Sequence, residues 1–251
     1  ENHSWLPFLD KEIEDVSLDL AIEKIESQRL HEREVIFVED AAFHQGIIGI
    51  LSSRIKDRYG KPVGVFTRMD SYLKASFRSS NIDIGHIIHK ANSAGLLIAG
   101  GGHANAGGLS VLAENYERLF NFFEEEIKAS DKNLINTIYA SAKITSKFIA
   151  PQEVKELLKL SPFGNSNQKP LFLIEGLKVL KADIVKENHV NLILKNGDDS
   201  LRAIFFRART LGILPNLLKL VGKEVDIMCE LSINEWNSRE SVNINLVDIA
   251  Y

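Results

Sequence analysis

The sequence predicts an α/β domain followed by a β-rich, barrel-like domain, and three observations carry that prediction. Up to about residue 130, strand-type apolar runs alternate with stretches whose apolar residues recur at helical spacing. Residues 128–133 then form a polar interruption that marks a boundary. Beyond it come several short apolar runs separated by polar turns, with one helix interposed, the pattern of a small closed sheet. At 251 residues the chain suits two domains, each able to bury its own core.

Taken in order, residues 1–16 mix Trp5, Pro7 and Phe8 with acids and show no clear period, so they read as a lead-in. Ser17 is placed to cap a helix whose apolar face is Leu18, Ala21, Ile22 and Ile25. Residues 1–33 are thus a lead-in and a helix, and the first domain is set at residues 34–130. Residues 35–38 are a strand and residues 41–44 a turn. Residues 46–59 form an amphipathic helix with Ile47, Ile50, Leu51 and Ile55 inward and Arg54 and Arg58 opposite, stopped by Gly60 and Pro62. Residues 62–67 and 72–77 read as a hairpin turning at 69–71, residues 83–93 as a helix, 109–112 as a strand and 116–127 as a helix.

The second domain, set at residues 134–251, opens with a strand over 136–144 and a helix over 151–160 whose first turn holds Pro151. Strands follow over 171–180, 189–194, 201–206, 225–232 and 242–248, with a helix near 214–220. This suggests a small barrel or an OB-like fold. Such barrels bind single strands by stacking bases on aromatics beside basic side chains. Phe205, Phe206, Arg207, Arg209 and Trp236 are the candidates, with core packing the competing reading for the two phenylalanines and a loop position expected for Trp236.

Composition removes several function classes. Hydrophobic content of 45% with 25% charged residues is that of an ordinary globular protein. The single cysteine, Cys229, excludes an internal disulfide and a cysteine zinc site, and its place in a predicted strand makes it a core thiol. No apolar run reaches bilayer length and no basic, apolar leader precedes the chain, so the reading is cytoplasmic. The Glu1 start, without a methionine, points to an excised piece or an incomplete gene product.

A net charge of −4 hides an asymmetry. Residues 1–33 hold nine acids against four bases, whereas residues 44–108 hold eight bases against three acids and four of the seven histidines. Positive charge is therefore concentrated around the run Gly100-Gly101-Gly102-His103-Ala104-Asn105-Ala106-Gly107-Gly108. Glycine admits positive φ and lets a ligand's oxygens approach backbone N–H groups, so the run reads as a phosphate loop or, alternatively, as a tight packing turn. His44 precedes a helix start, where it either caps the helix or meets an anion. Arg78 ends a strand, and its planar fork suits either a phosphate or a surface ion pair. His86 and His89, three apart on a helix, have no carboxylate pattern beside them and read as surface residues; no metal site is predicted.

The order G-G-H-x-x-A-G-G at Gly101, Gly102, His103, Ala106, Gly107 and Gly108 resembles the signature of the DHHA1 domain, the substrate-binding half of the DHH phosphoesterases. Phe43 to Ile50 looks like the H-x-G-V-I-G-I block of the RecJ-type single-strand-specific exonucleases, and Ser76-Phe77-Arg78-Ser79 like their S-x-R-S block. Ser161 to Asn167 is similar to their P-F-G-x-G-N segment, departing at Asn165 and Ser166, and Asn234-Glu235-Trp236-Asn237 to their late N-E-W block. The resemblance implies a DHHA1-type α/β domain followed by an OB domain, and an enzyme that hydrolyses single-stranded DNA from 5′ to 3′ in repair and recombination. It implies Mn2+ or Mg2+ for the full enzyme, held by a DHH domain. No Asp-His-His triplet occurs in these 251 residues, so no catalytic or cofactor residue is assigned here. The resemblance assigns phosphate or nucleic-acid binding to His44, Ser76, Arg78, Gly101, Gly102, His103, Ala106 and Gly107, and further contacts to Arg207, Arg209 and Trp236. The expected partners are single-stranded DNA and a single-strand-binding protein, with no membrane, and the chain alone should bind without cleaving. The rival readings are a DHH-family phosphoesterase of oligoribonucleotides or cyclic dinucleotides, a non-catalytic single-strand-binding module, and an inactive fragment.

Overall fold

The computed structural model describes residues 6–130, 138–164, 167–236 and 239–251. The chain divides into two units, Glu1–Asn136 and Thr137–Tyr251. Among the described residues no helix is long and apolar enough to cross a membrane.

The first unit is built on a five-stranded sheet in the order β1-β2-β3-β5-β4. Its strands are β1 (Ile36–Glu39), β2 (Val63–Arg68), β3 (Tyr72–Arg78), β4 (Ala99–His103) and β5 (Ala106–Leu112), and its helices α1 (Leu6–Ser27), α2 (Ile48–Tyr59), α3 (Ile84–Ser93) and α4 (Tyr116–Ala129). Strands β1 and β2 are parallel, joined through α2, and every other pairing is antiparallel. Local chemistry sets the ends: Gly60 takes a left-handed conformation at φ 66 to stop α2, and the Asp83 carboxylate accepts the His86 N–H to start α3.

Strand alternation sends two different cores to the two faces of this sheet. One face packs Phe37, Phe66, Leu73, Ala75, Phe77, Leu109 and Val111 against α3 and α4. Phe37 is its hub, with the rings of Phe66, Phe77, Tyr116, Phe120 and Phe123 centred 4.8–5.9 Å away; truncating such a residue costs about 3–5 kcal/mol. The other face packs Ile36, Val38, Val63 and Val65 against α1 and α2. Those two helices cover β1 and β2. The corresponding face of β3, β5 and β4 carries exposed or half-buried residues throughout.

The second unit has α5 (Pro151–Leu158), α6 (Leu214–Leu218), a two-residue strand β6 (Ala142–Lys143) and the long strands β7 (Phe172–Val185), β8 (His189–Asn196), β9 (Asp199–Phe205), β10 (Glu224–Trp236) and β11 (Arg239–Ala250). The sheet order β10-β11-β9-β8-β7 closes on itself through a β10–β7 pairing, which makes a five-stranded barrel with β6 appended to β7. Closure requires β7 to bend, and the register shifts between Val179 and Lys181 and between Val225 and Ile227 supply the bend. The barrel is filled by Ile174, Val179, Leu192, Leu194, Phe205, Ile227, Cys229 and Leu231, and α6 adds Leu214 and Leu217.

The architecture is thus an α/β unit followed by a β-barrel, as the sequence predicts, but four local readings are corrected. Helix α1 begins by Leu6, with Pro7 in its first turn, and Ser17 is buried inside it rather than capping it. Two acids of its first half are held by α2, where Arg54 pairs with Glu14 at 2.5 Å and with Asp15 at 2.9 Å. Ordered strand in the 136–144 region is confined to Ala142–Lys143, which pair in parallel with Phe172 and Leu173 of β7; residues 136 and 137 lie outside the described residues. The glycine run is two strands rather than a loop. Trp236 ends a strand, paired with Arg239, and its expected exposure lies outside the described residues.

Candidate nucleic-acid interface

The uncovered half of the first sheet forms a trough whose composition follows from strand register. Across β3, β5 and β4 the partners are Arg78, Ala106 and His103 in one row, Ser76, Gly108 and Gly101 in the next, and Lys74, Ser110 and Ala99 in the third. The floor is made of alanine, glycine and serine. Basic side chains stand at its borders, with Arg78 and His103 in one row two strands apart, about 9.6 Å at ordinary strand spacing.

None of Gly100, Gly101, Gly102, Gly107 or Gly108 has a positive φ, so the predicted phosphate-loop conformation is replaced by extended backbone. These glycines answer to space. A Cβ on Gly102 would lie 2.4 Å from the Ala106 carbonyl oxygen and 2.5 Å from the Gly107 Cα, so the hairpin closes only without one. A Cβ on Gly107 would lie 2.4 Å from Ile88 of α3. In the same way Gly85, in the first turn of α3, would bring a Cβ to 2.9 Å from the His103 backbone. Gly108 and Gly101 are the exceptions: a Cβ on Gly108 would make an ordinary contact at 3.6 Å with the Ala75 carbonyl oxygen, and one on Gly101 meets nothing within 4 Å and projects into open space.

At the side of the trough lies the start of α2. Among the described residues the backbone N–H groups of Ile48 and Gly49 have no backbone partner, as expected of a first turn, and the positive end of the helix dipole adds to them. A Cβ on Gly49 would come within 3.3 Å of Arg78 Nη2 and 3.4 Å of Ser76 Oγ, so the helix start, the guanidinium and the hydroxyl meet at one point. Arg78 is held there by donating from Nη1 to Ser76 Oγ at 3.1 Å and to the Phe77 carbonyl at 2.8 Å. Among the described residues no carboxylate pairs with Arg78, Lys74, His44 or His103. The groups that meet here are all hydrogen-bond donors or donor-capable: backbone N–H, guanidinium and hydroxyl.

The loop leading into α2 is anchored from behind. Asp40 pairs with Lys24 at 2.5 Å and accepts the Ala42 N–H at 2.9 Å, and these two donors hold its carboxyl below the usual range. His44 is exposed and does not cap α2; its Nδ1 accepts the Gly46 N–H at 3.2 Å. Lys74 Nζ donates to Gln45 Oε1 at 3.3 Å, tying this loop to β3. Sequence reasoning passed over Lys74, although the alternation Tyr72, Lys74, Ser76, Arg78 already put it on the face of the two selected residues.

In the second unit the candidates separate. Phe205 is 5% exposed inside the barrel, whereas Phe206 is 47% exposed and packs edge-on against His189, ring centres 5.1 Å apart. Arg207 adopts φ 57 and its N–H donates to His189 Nδ1 at 2.9 Å, while Arg209 Nε donates to the Glu187 carbonyl at 2.6 Å. These contacts staple the turn after β7 to the segment after β9. Trp236 is elsewhere: Leu246 pairs with Phe205 in parallel register, and Arg239, opposite Trp236, is seven residues back along β11, about 23 Å of extended strand. Phe206, Arg207 and Arg209 therefore form one patch, and Trp236 lies at the opposite end of the ladder. His86 and His89 are exposed on α3, and no group of three or more metal-ligating side chains occurs among the described residues.

With the geometry in hand, both units match known domain families. Residues 32–129 match the DHHA1 domain and residues 141–248 the RecJ OB domain, so the chain is a DHHA1 domain followed by an OB domain. Its curated relatives are RecJ proteins. The single-stranded-DNA-specific exonuclease RecJ of Bacillus subtilis is 28% identical over 241 residues, 92% of this chain and 30% of that protein. The Escherichia coli protein of the same name is 31% identical over 217 residues, 82% of this chain and 36% of that one. The crystal structure of RecJ in complex with Mn2+ from Thermus thermophilus superposes with a TM-score of 0.74 at 24% identity, covering 96% of this chain and 34% of that one, which establishes the shared fold. The chain spans about a third of the length of the relatives it matches.

Proposed function

We propose that this chain is the strand-gripping portion of a metal-dependent 5′-to-3′ single-stranded-DNA exonuclease of repair and recombination, and that by itself it binds single strands without cutting them. The carrying observation is the convergence of Arg78, Ser76 and the free N–H groups of α2 beside an open, small-residue trough. Backbone N–H groups, a hydroxyl and a guanidinium are the donors that a phosphate accepts from. In this reading the 5′-terminal phosphate sits at Ser76 and Arg78, with His44 and His103 at its borders. The strand runs over the backbone of Gly101, Gly102, Ala106 and Gly107, and the patch of Phe206, Arg207 and Arg209 holds a more distant stretch, with Trp236 a separate contact. The relatives' structures with Mn2+ or Mg2+ point to a divalent ion in the full enzyme. The donor set here suits phosphate rather than metal, so the contribution of this chain is alignment of the strand, which lowers the entropy cost of reaction. A single-strand-binding protein as partner and a cytoplasmic location belong to the same reading.

The test is a fluorescence-anisotropy titration with a 5′-phosphorylated single-stranded oligonucleotide, its 5′-hydroxyl twin and a duplex, at two salt concentrations. Salt-sensitive binding that prefers the phosphorylated single strand, with the preference abolished in Arg78→Ala and affinity lowered in His103→Ala, is expected. Equal binding of all three ligands, or silent substitutions, overturns the proposal.

A further inference from the structure

Resting on that reading, we infer that Lys74, set by Gln45, is a second phosphate contact, which takes the first internucleotide phosphate of a strand whose terminal phosphate lies at Ser76 and Arg78. Three observations lead there. The Arg78 guanidinium folds back along β3 onto Ser76, so the terminal site is centred at the level of Ser76 rather than at the strand end. Lys74 is the next residue on the same face of β3, one two-residue repeat or about 6.7 Å further along, a step close to that between successive phosphates in an extended single strand. Its ammonium is exposed, has no carboxylate partner among the described residues, and is positioned by a neutral one, the Gln45 carbonyl at 3.3 Å.

The surroundings complete the contact. The Gln45 amide N–H2 remains a donor once its carbonyl faces Lys74, and Ser110, paired with Lys74 across β5, offers a hydroxyl on the same face. A neutral partner matters here. An acid would neutralise the lysine and repel a phosphate, whereas the amide orients it and leaves its charge available. The trough thereby recognises a spacing between two phosphates as well as a terminal one, so a chain with an internucleotide linkage is distinguished from a 5′-mononucleotide.

The test uses the full 251-residue chain and 5′-phosphorylated oligonucleotides that carry one neutral methylphosphonate, either at the first linkage from the 5′ end or near the 3′ end. Lys74→Gln should weaken binding of the unmodified oligonucleotide about fivefold or more and reduce the salt slope by about 0.7, the value of one single-strand phosphate contact. The first-linkage methylphosphonate should weaken the wild type by a similar factor and leave Lys74→Gln unchanged, and Lys74→Arg should restore affinity. The preference for a 5′-phosphate over a 5′-hydroxyl should persist in Lys74→Gln. A silent Lys74→Gln, or a penalty that adds in full to that of the neutral first linkage, overturns the second contact while leaving the terminal site intact. A wild-type chain that binds no single strand overturns both.

Discussion

Two adjacent glycines give the sharpest separation between folding and binding in this chain. At Gly102 the added methyl of alanine would meet backbone atoms at 2.4 and 2.5 Å, and neither belongs to a side chain that could rotate away. The hairpin of β4 and β5 must open by about 1 Å to restore ordinary contact, which places Gly102→Ala at the upper end of overpacking, about 3 kcal/mol or more. At Gly101 the same methyl meets nothing within 4 Å, and φ is not left-handed. Gly101→Ala should therefore stabilise the chain slightly, by about 0.4–1 kcal/mol, through the unfolded state. The methyl nevertheless stands in the middle row of the trough, between Ser76 and open solvent. Single-strand affinity should fall in Gly101→Ala and fall further in Gly101→Val, with no loss of stability in either. Urea unfolding followed by circular dichroism, with anisotropy titration on the same samples, gives both readings. If Gly101→Val binds as tightly as the wild type, or Gly102→Ala unfolds at wild-type urea concentration, the division of labour between the two glycines is refuted.

Four other outcomes are expected. Arg78→Lys should lose most of the preference for a 5′-phosphate, about tenfold or more in affinity, because one ammonium cannot reproduce a guanidinium that serves Ser76, Phe77 and the ligand together, and comparing phosphorylated and hydroxyl oligonucleotides measures it. Glu124 accepts N–H groups from Glu34 and Val35 and pairs with Lys128; burial pushes its carboxyl up, but these three donors outweigh that and hold it below the ordinary glutamate value. The stability it contributes is complete above that value and lost as pH falls through the depressed folded one, so Glu124→Gln should lose about 1–2 kcal/mol at neutral pH and flatten the acid limb of the urea midpoint against pH. Burial, then the nearby Glu230 charge, pushes the Cys229 thiol up to about 12, so a thiol reagent at pH 8 should label it only as fast as the second unit opens. Phe206→Ala should leave thermal stability within about 0.5 kcal/mol and weaken binding of long but not very short oligonucleotides, as calorimetry on both would register.

Much of this was legible before the structure, and the misreadings share a cause. The hairpin over residues 62–67 and 72–77 corresponds to β2 and β3, and Gly60 and Asp83 mark helix ends correctly because capping is local chemistry. The first half of α1 shows no apolar period, and its Glu14 and Asp15 are satisfied by Arg54, a partner 39 residues away from Asp15 that local sequence does not reveal. The glycine run reads either as a phosphate loop or as a tight packing turn because the absence of a Cβ permits both unusual φ and close approach, and only the packing of Ile88 and Gly85 against the hairpin decides for close approach. The second-unit candidates were grouped by chemistry, whereas β9–β11 register puts Phe206 and Trp236 at opposite ends.

The bareness of the trough floor has a consequence for motion. Ala99, Gly101, Ala106 and Gly108 offer no side-chain donor or acceptor, and Ser110 offers a single hydroxyl. A surface without such groups has nothing with which to tell one base from another, and it gives each base the same shallow energy well. In the proposed role, a strand drawn across it one nucleotide at a time would meet little friction and no preferred stopping sequence, and the basic border groups would hold only the feature that every step repeats.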